Sequence, residues 1–207
     1  DYLAGELDNS KLTFLMTGQK IDATTYQRDR EKLSNDNLLE VKNLNRKGHY
    51  RDIGFSVKRG DILGITGLIG SGRTELALSL FGLNKPDCGD IILDGHPVAI
   101  QSAYEAMRLG LGYLPEDRLL QGLFVDKSIG SNIVVTVVET LLNKFKLISR
   151  DKRQQIESKW INKLKIKTSS ADMPASSLSG GNQQRVVLAK WLATNLKLFI
   201  LDGPTIG

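Results

Sequence analysis

A glycine-punctuated stretch, LGITGLIGSGRTELALSLF at residues 63–81, constrains this chain more than any other part of it. It runs from an apolar segment through a glycine loop into an amphipathic helix. Residues 62–66 (ILGIT) are short and β-prone, which predicts a buried strand. Gly67, Gly70 and Gly72 follow, and Gly67-x-x-x-x-Gly72-Arg73-Thr74 has the spacing of a phosphate-binding loop. Glycines let successive backbone N–H groups curl around an anion, and a helix starting near Arg73 adds the positive end of its dipole. Thr74 would place a hydroxyl on Mg²⁺. Arg73 departs from the motif, which has lysine there; a planar fork on a longer arm cannot put its charge where a compact ammonium does. An ordinary strand-to-helix turn would share these glycines, so the second half of the chain decides.

That half supplies two more features of the same kind. Ser179 precedes Gly180 and Gly181 at the start of a helix running through Val186, Val187, Ala189 and Leu192. A serine N-cap followed by paired glycines exposes free N–H groups at a helix start, a second anion-binding terminus. Residues 197–202 (KLFILD) then read as a buried strand ending in a carboxylate, Asp202. In a phosphate-loop protein an acid in that place supports the Mg²⁺ shell.

Between and before these features the chain alternates strand and helix patterns. Residues 1–36 are polar and mixed in charge, with a short capped helix expected at 8–18 and a linker after it. Residues 38–44 and 53–57 read as two antiparallel strands, and 58–61 as a polar turn into the loop strand. Residues 90–94 and 97–100 pair across a tight turn, with Cys88 in the turn before them. Ser102 and Glu105 form a capping box for a helix at 102–109, and residues 112–115 make a short strand ended by Pro115. From 116 to 177 strand patterns vanish and helices are expected at 131–145 and 150–164, the second with Ile156, Trp160, Ile161 and Leu164 on one core-facing side. The fold class is therefore α/β: a core at 37–115, a helical insertion at 116–177, and a return to the core at 178–207.

A net charge of +5 on 207 residues raises nucleic acid or an anionic membrane as a partner. The 28 basic residues are interspersed with 23 acidic ones, which reads as a solvated surface. The lone Cys88 excludes an intramolecular disulfide and suits a reducing cytosol. No signal-peptide pattern is read, and the longest apolar run, 133–138, is too short to span a membrane. Any membrane link is expected through a partner.

Together GLIGSGRT, LSGGNQQR and LFILDGPT, in that order with a helical block between, resemble the nucleotide-binding domains of ABC transporters, from about Asn37 to Gly207. Within that family GRTEL, YLPEDR at 113–118 and GGNQQRVVLAKWLA look like the C-terminal half of the tandem ATPases of ribose- and galactose-type importers. The resemblance implies a P-loop NTPase core with an antiparallel β-subdomain and an inserted helical subdomain. It implies that Gly67, Leu68, Ile69, Gly70, Ser71, Gly72, Arg73, Thr74 and Glu75 hold ATP, with an adenine-stacking aromatic at Tyr50 or His49. Ser179, Gly180, Gly181 and Gln183 would meet an ATP held by another nucleotide-binding domain in a head-to-tail dimer. Thr74, Glu116 and Asp202 would serve Mg²⁺, Glu116 and Asp202 also the chemistry, and the helical block would touch transmembrane permease subunits at the cytoplasmic face of the inner membrane. No nucleic-acid partner is expected, since neither a coiled-coil insertion nor zinc cysteines are present.

Three departures bear on catalysis. Arg73 replaces lysine, Glu116 replaces glutamine, and Gly203 stands where the family carries the glutamate that polarises the attacking water. Glycine cannot accept a proton, and a general base contributes about 10²–10⁴-fold in rate, so the expectation is a site that binds nucleotide and hydrolyses it poorly. The alternatives are a non-catalytic fragment with a vestigial site and a soluble nucleic-acid-associated ATPase of the same family. The family's sheet also has a strand between the loop strand and the Asp202 strand, carried by sequence beyond Gly207; the chain as given is expected to look truncated there and to leave a gap.

Overall fold

The computed structural model of the protein describes residues 36–117 and 121–203. The chain divides into Asp1–Asn35 and Asp36–Gly207, and the architecture below is that of the second unit. The capped helix expected at 8–18 lies outside the described residues.

Four strands form an antiparallel sheet in the order β2-β1-β3-β4: β1 Asn37–Arg46, β2 Tyr50–Lys58, β3 Cys88–Leu93 and β4 His96–Val98. In β1, Leu39 and Val41 point into the core at the period of two, but the next inward residue is Leu44. Asn43 lies at φ 48° where the register with both neighbours shifts, so a bulge absorbs one residue and turns Leu44 inward. β3 begins two residues earlier than expected and takes in Cys88, which is exposed and free. Helix α1, Arg73–Leu80, packs Leu76 and Leu80 into the shared core, followed by Phe81. Helix α2, Ala103–Arg108, starts at Ser102, whose Oγ accepts from Glu105 N at 3.2 Å. The return contact of the expected box shifts by one residue: the Glu105 carboxylate accepts from Gln101 N rather than from the cap residue.

A second sheet pairs β5, Leu111–Leu114, in parallel with β6, Leu198–Leu201. Asp94, in the β3–β4 turn, is held by Arg59 and by Lys197 at 2.7 Å, which ties the antiparallel sheet to the entrance of β6. These cations, the Lys197 hydrogen bond first, keep the Asp94 carboxyl below its usual range.

The helical block follows. Helix α3, Ile129–Val134, gives way to a 3-10 segment, Val135–Leu141, and the chain then turns back on itself instead of continuing as one helix to 145. The run IVVTVV at 133–138 explains the change: β-branched side chains crowd the preceding turn and lose χ1 freedom in an α-helix. Helix α4, Arg150–Lys163, matches its expected span and buries Trp160. Glu157 is buried too, paired with Arg153 at 2.6 Å and lying directly against Gly130, so a larger residue at 130 would collide with the carboxylate. Helix α5, Gly180–Leu192, contributes the fully buried Val186, Val187 and Ala189.

Two buried polar side chains position the segment at 121–124, between β5 and the helical block. Asn132 accepts from Phe124 N at 2.8 Å and donates to Phe124 O at 3.0 Å. Lys190, near the end of α5, donates to Gly122 O at 2.7 Å. Burial lowers the Lys190 amine to about 8. Between pH 8 and the ordinary lysine value the unfolded chain binds this proton and the folded one does not, so stability rises with pH there. Relative to Lys190→Met, the native protein is expected to gain about 2 kcal/mol between pH 7.5 and 9.5, read from urea midpoints; parallel midpoints would contradict it.

One strand fails to form. Residues 62–66 are irregular, with Ile62 84% and Ile65 47% exposed, and they pair with no strand among the described residues. A five-residue apolar run is a stable strand only where a neighbour completes its ladder and a layer covers its faces. Here β6 pairs with β5 alone, and Leu201 at its end is 48% exposed. The α/β class stands, with its parallel part reduced to two strands.

Candidate functional site

The site is built where the start of α1 meets the end of β6. Gly72 caps α1 at φ 84°, a left-handed conformation that L side chains avoid. It is also pressed against the His49 carbonyl, where no Cβ fits. Both constraints fall on the last glycine of the loop and turn the chain so that α1 begins with no side-chain cap on its first N–H groups. Such a helix start is a ready anion site. Arg73 is exposed beside it, and Leu68 and Ile69 are 85% and 100% exposed on the loop rim.

Thr74, on the first turn of α1, directs Oγ1 to Asp202 Oδ1 at 3.3 Å. Asp202 follows β6 and is placed by its own N–H, which donates to Leu114 O at 2.9 Å in continuation of the parallel ladder. Its second oxygen accepts from the Tyr113 hydroxyl at 3.1 Å. Burial, then the neighbouring Asp202 charge, pushes the Tyr113 phenol well above its ordinary range and keeps it a donor. A hydroxyl and a carboxylate at a helix start are hard oxygen donors of the type Mg²⁺ takes together with phosphate and water. The residues fit that ion; among the described residues no cluster of three or more His, Cys, Asp or Glu offers a self-sufficient metal cage.

The other residues singled out from the sequence divide. Glu116 is exposed just after the buried Pro115, at the rim. Glu75 lies 3.8 Å from His49 Nδ1, which joins the loop helix to the β1–β2 turn. Tyr50 is 9% exposed and its hydroxyl donates to Ser79 Oγ at 2.7 Å, so it works as a pin between β2 and α1, and His49 is the more exposed candidate for a base-stacking face. Ser179 and Gly181 are exposed at the start of α5, where Ser179 is the N-cap without a side-chain cap bond. Gln183, by contrast, is buried, and its side-chain amide donates to Ala175 O at 3.2 Å. Sequence reasoning missed Tyr113, Asn132 and Lys190. Tyr113 alone left a signal, being the one hydrogen-bonding side chain of β5.

This layout defines a class, the phosphate-loop nucleotide-binding domains, and comparison with known proteins defines the family. The ABC transporter family profile matches residues 50–206, and the chain belongs to that family. It is 42% identical over 170 residues to the ribose import ATP-binding protein RbsA of Oceanobacillus iheyensis, covering 82% of this chain and 34% of that protein. The protein of the same name from Lacticaseibacillus paracasei is 37% identical over 100% of this chain and 41% of its own length. The chain thus spans about two fifths of the length of these relatives or less. Among solved structures, a nucleotide-free ATP-binding cassette from an ABC transporter superposes with a TM-score of 0.68 at 21% identity, over 83% of this chain and 71% of that one. The structure of cbiO1 from Clostridium perfringens gives 0.66 at 27% identity, over 83% and 67%.

Proposed function

We propose that this chain is the ATP-binding part of a sugar-import ATPase, holding MgATP between the glycine loop and Asp202 while hydrolysing it poorly. The observation that carries the reading is the Thr74–Asp202 pair at the uncapped start of α1. The helix start and loop N–H groups would take the phosphates, Arg73 would add charge at the rim, and Mg²⁺, when bound, would neutralise phosphate charge beside Thr74 and Asp202. Gly203 offers no side chain for activating water, which supports weak turnover.

Gly181 supports the partner side of the reading. A Cβ there would meet nothing within 4 Å, so the fold itself does not demand glycine. Glycine loses more backbone freedom than alanine on entering a helix, and the close approach of an outside group to the α5 start would account for it there. That group is the phosphate end of an ATP held by a second nucleotide-binding domain, arranged head to tail. One solved cassette of this fold is a dimer bound to ADP and Pi. Sugar import is supported by the relatives' names, and the helical block would transmit closure to permease subunits at the cytoplasmic membrane face. No helix among the described residues is long and apolar enough to cross a membrane.

The test is a titration of the protein with a fluorescent ATP analogue plus Mg²⁺, beside the double variant Arg73→Ala, Thr74→Ala. Saturable binding weakened at least about tenfold in the variant is expected, the loss of roughly one charge-assisted contact set. The exposed run at 62–69 favours a second reading, a vestigial site, and folded protein that takes up no nucleotide would establish it over the first.

A further inference from the structure

We infer that Tyr113 is a positioning residue of the metal-binding pair: its hydroxyl holds one oxygen of Asp202 so that the other faces Thr74. This rests on the nucleotide-binding reading and extends it to a residue on the strand that leads into the Glu116 rim.

The carboxylate of an aspartate turns easily about its last bond, since that torsion is broad and two-fold. Here both ends are held. Oδ2 accepts from Tyr113 at 3.1 Å and Oδ1 from Thr74 at 3.3 Å, while the backbone beneath is fixed by the bond from Asp202 N to Leu114 O. Tyr113 is itself immobilised, 5% exposed with its ring stacked on Phe81 at 5.4 Å. Phe81 meets Trp191 of α5 edge-on at 5.5 Å. Phe81 closes the C-terminal end of α1, the helix whose first turn carries Thr74. One helix therefore supplies a donor at its start and, through the ring at its end, orients the phenol that sets the opposing acid. Thr74 and Asp202 would hold Mg²⁺, which would neutralise phosphate charge there, and the Tyr113 bond would stay on Oδ2. Holding the carboxylate before the ion arrives removes an ordering cost from binding.

The variant Tyr113→Phe deletes one oxygen and keeps the ring that packs on Phe81. The fluorescent analogue is titrated in EDTA and again across a range of Mg²⁺ concentrations, with a melting curve to verify the fold. Expected is a rise of about tenfold in the Mg²⁺ concentration for half-maximal enhancement, the lower end of the scale of one hydrogen bond to a charged group, with affinity in EDTA unchanged. In an Asp202→Asn background the same change should add nothing further, because the acceptor it orients no longer carries the charge. An unchanged Mg²⁺ requirement in Tyr113→Phe overturns the inference, as does an equal loss in EDTA or a full effect in the Asp202→Asn background, each of which makes Tyr113 a packing residue only. Native protein that binds no nucleotide with or without Mg²⁺ removes this inference together with the reading beneath it, whereas normal binding with no response to Tyr113→Phe removes this inference alone.

Discussion

Replacing Gly203 with glutamate is expected to raise Mg²⁺-dependent ATP turnover by about 10²-fold, toward the lower end of what a positioned general base contributes. The carboxylate would emerge next to Asp202, beside the phosphate end of the proposed site, where a base can draw a proton from water. Two features hold the gain down. Gly203 sits at φ 59°, where a side-chain-bearing residue costs about 1–2 kcal/mol, so the loop must shift or absorb strain. Arg73 and Glu116 also remain where the wider family pattern has lysine and glutamine, as in the C-terminal halves that this chain resembles. Gly203→Gln is the control: it adds a side chain of the same length that cannot act as a base. Phosphate release that is no faster in Gly203→Glu than in Gly203→Gln would move the defect to Arg73 or Glu116.

The second large effect is structural. Gly72→Ala should destabilise the protein by about 2–3 kcal/mol, combining the penalty for a left-handed alanine with displacement of its new methyl from the His49 carbonyl. For a domain of this size that is a fall of roughly 5–10 °C in melting temperature. Nucleotide binding should weaken as well, because the same turn aims the first N–H groups of α1. Gly70→Ala separates the two causes: Gly70 is also at positive φ, 80°, but a Cβ there meets nothing within 4 Å. It should lose only the conformational part, about 1 kcal/mol. Equal destabilisation by the two changes would mean that the His49 contact is unimportant.

The parts of the fold that could be read from the sequence are those that local chemistry decides. Ser102 and Glu105 marked a helix start because a hydroxyl and an acid three residues apart can satisfy end N–H groups without help from elsewhere. Thr74 and Asp202 could be assigned to one site only because a known order of motifs implied that distant segments meet; their 3.3 Å contact spans 128 residues. Lys190 and Asn132 leave no trace in the sequence for the converse reason, and Tyr113 leaves only a polar tip on a buried strand. A tyrosine, a lysine or an asparagine carries no spacing signature, and their partners at Asp202, Gly122 and Phe124 are fixed by tertiary packing. Residues 62–66 were misjudged because apolar character reports what a segment can become, whereas strand formation needs a neighbour that the segment's own sequence does not contain.

The bare run at 62–69 also bears on contacts between molecules. Ile62, Leu68 and Ile69 stand open to water beside backbone that joins no ladder among the described strands, and Leu201 leaves the end of β6 similarly uncovered. Such a surface is adhesive in a specific sense: it offers backbone pairing and apolar cover at once, the combination that templates strand addition between chains. At high concentration the purified chain is expected to bury this stretch between molecules, and a sedimentation coefficient that stays constant with concentration would contradict it.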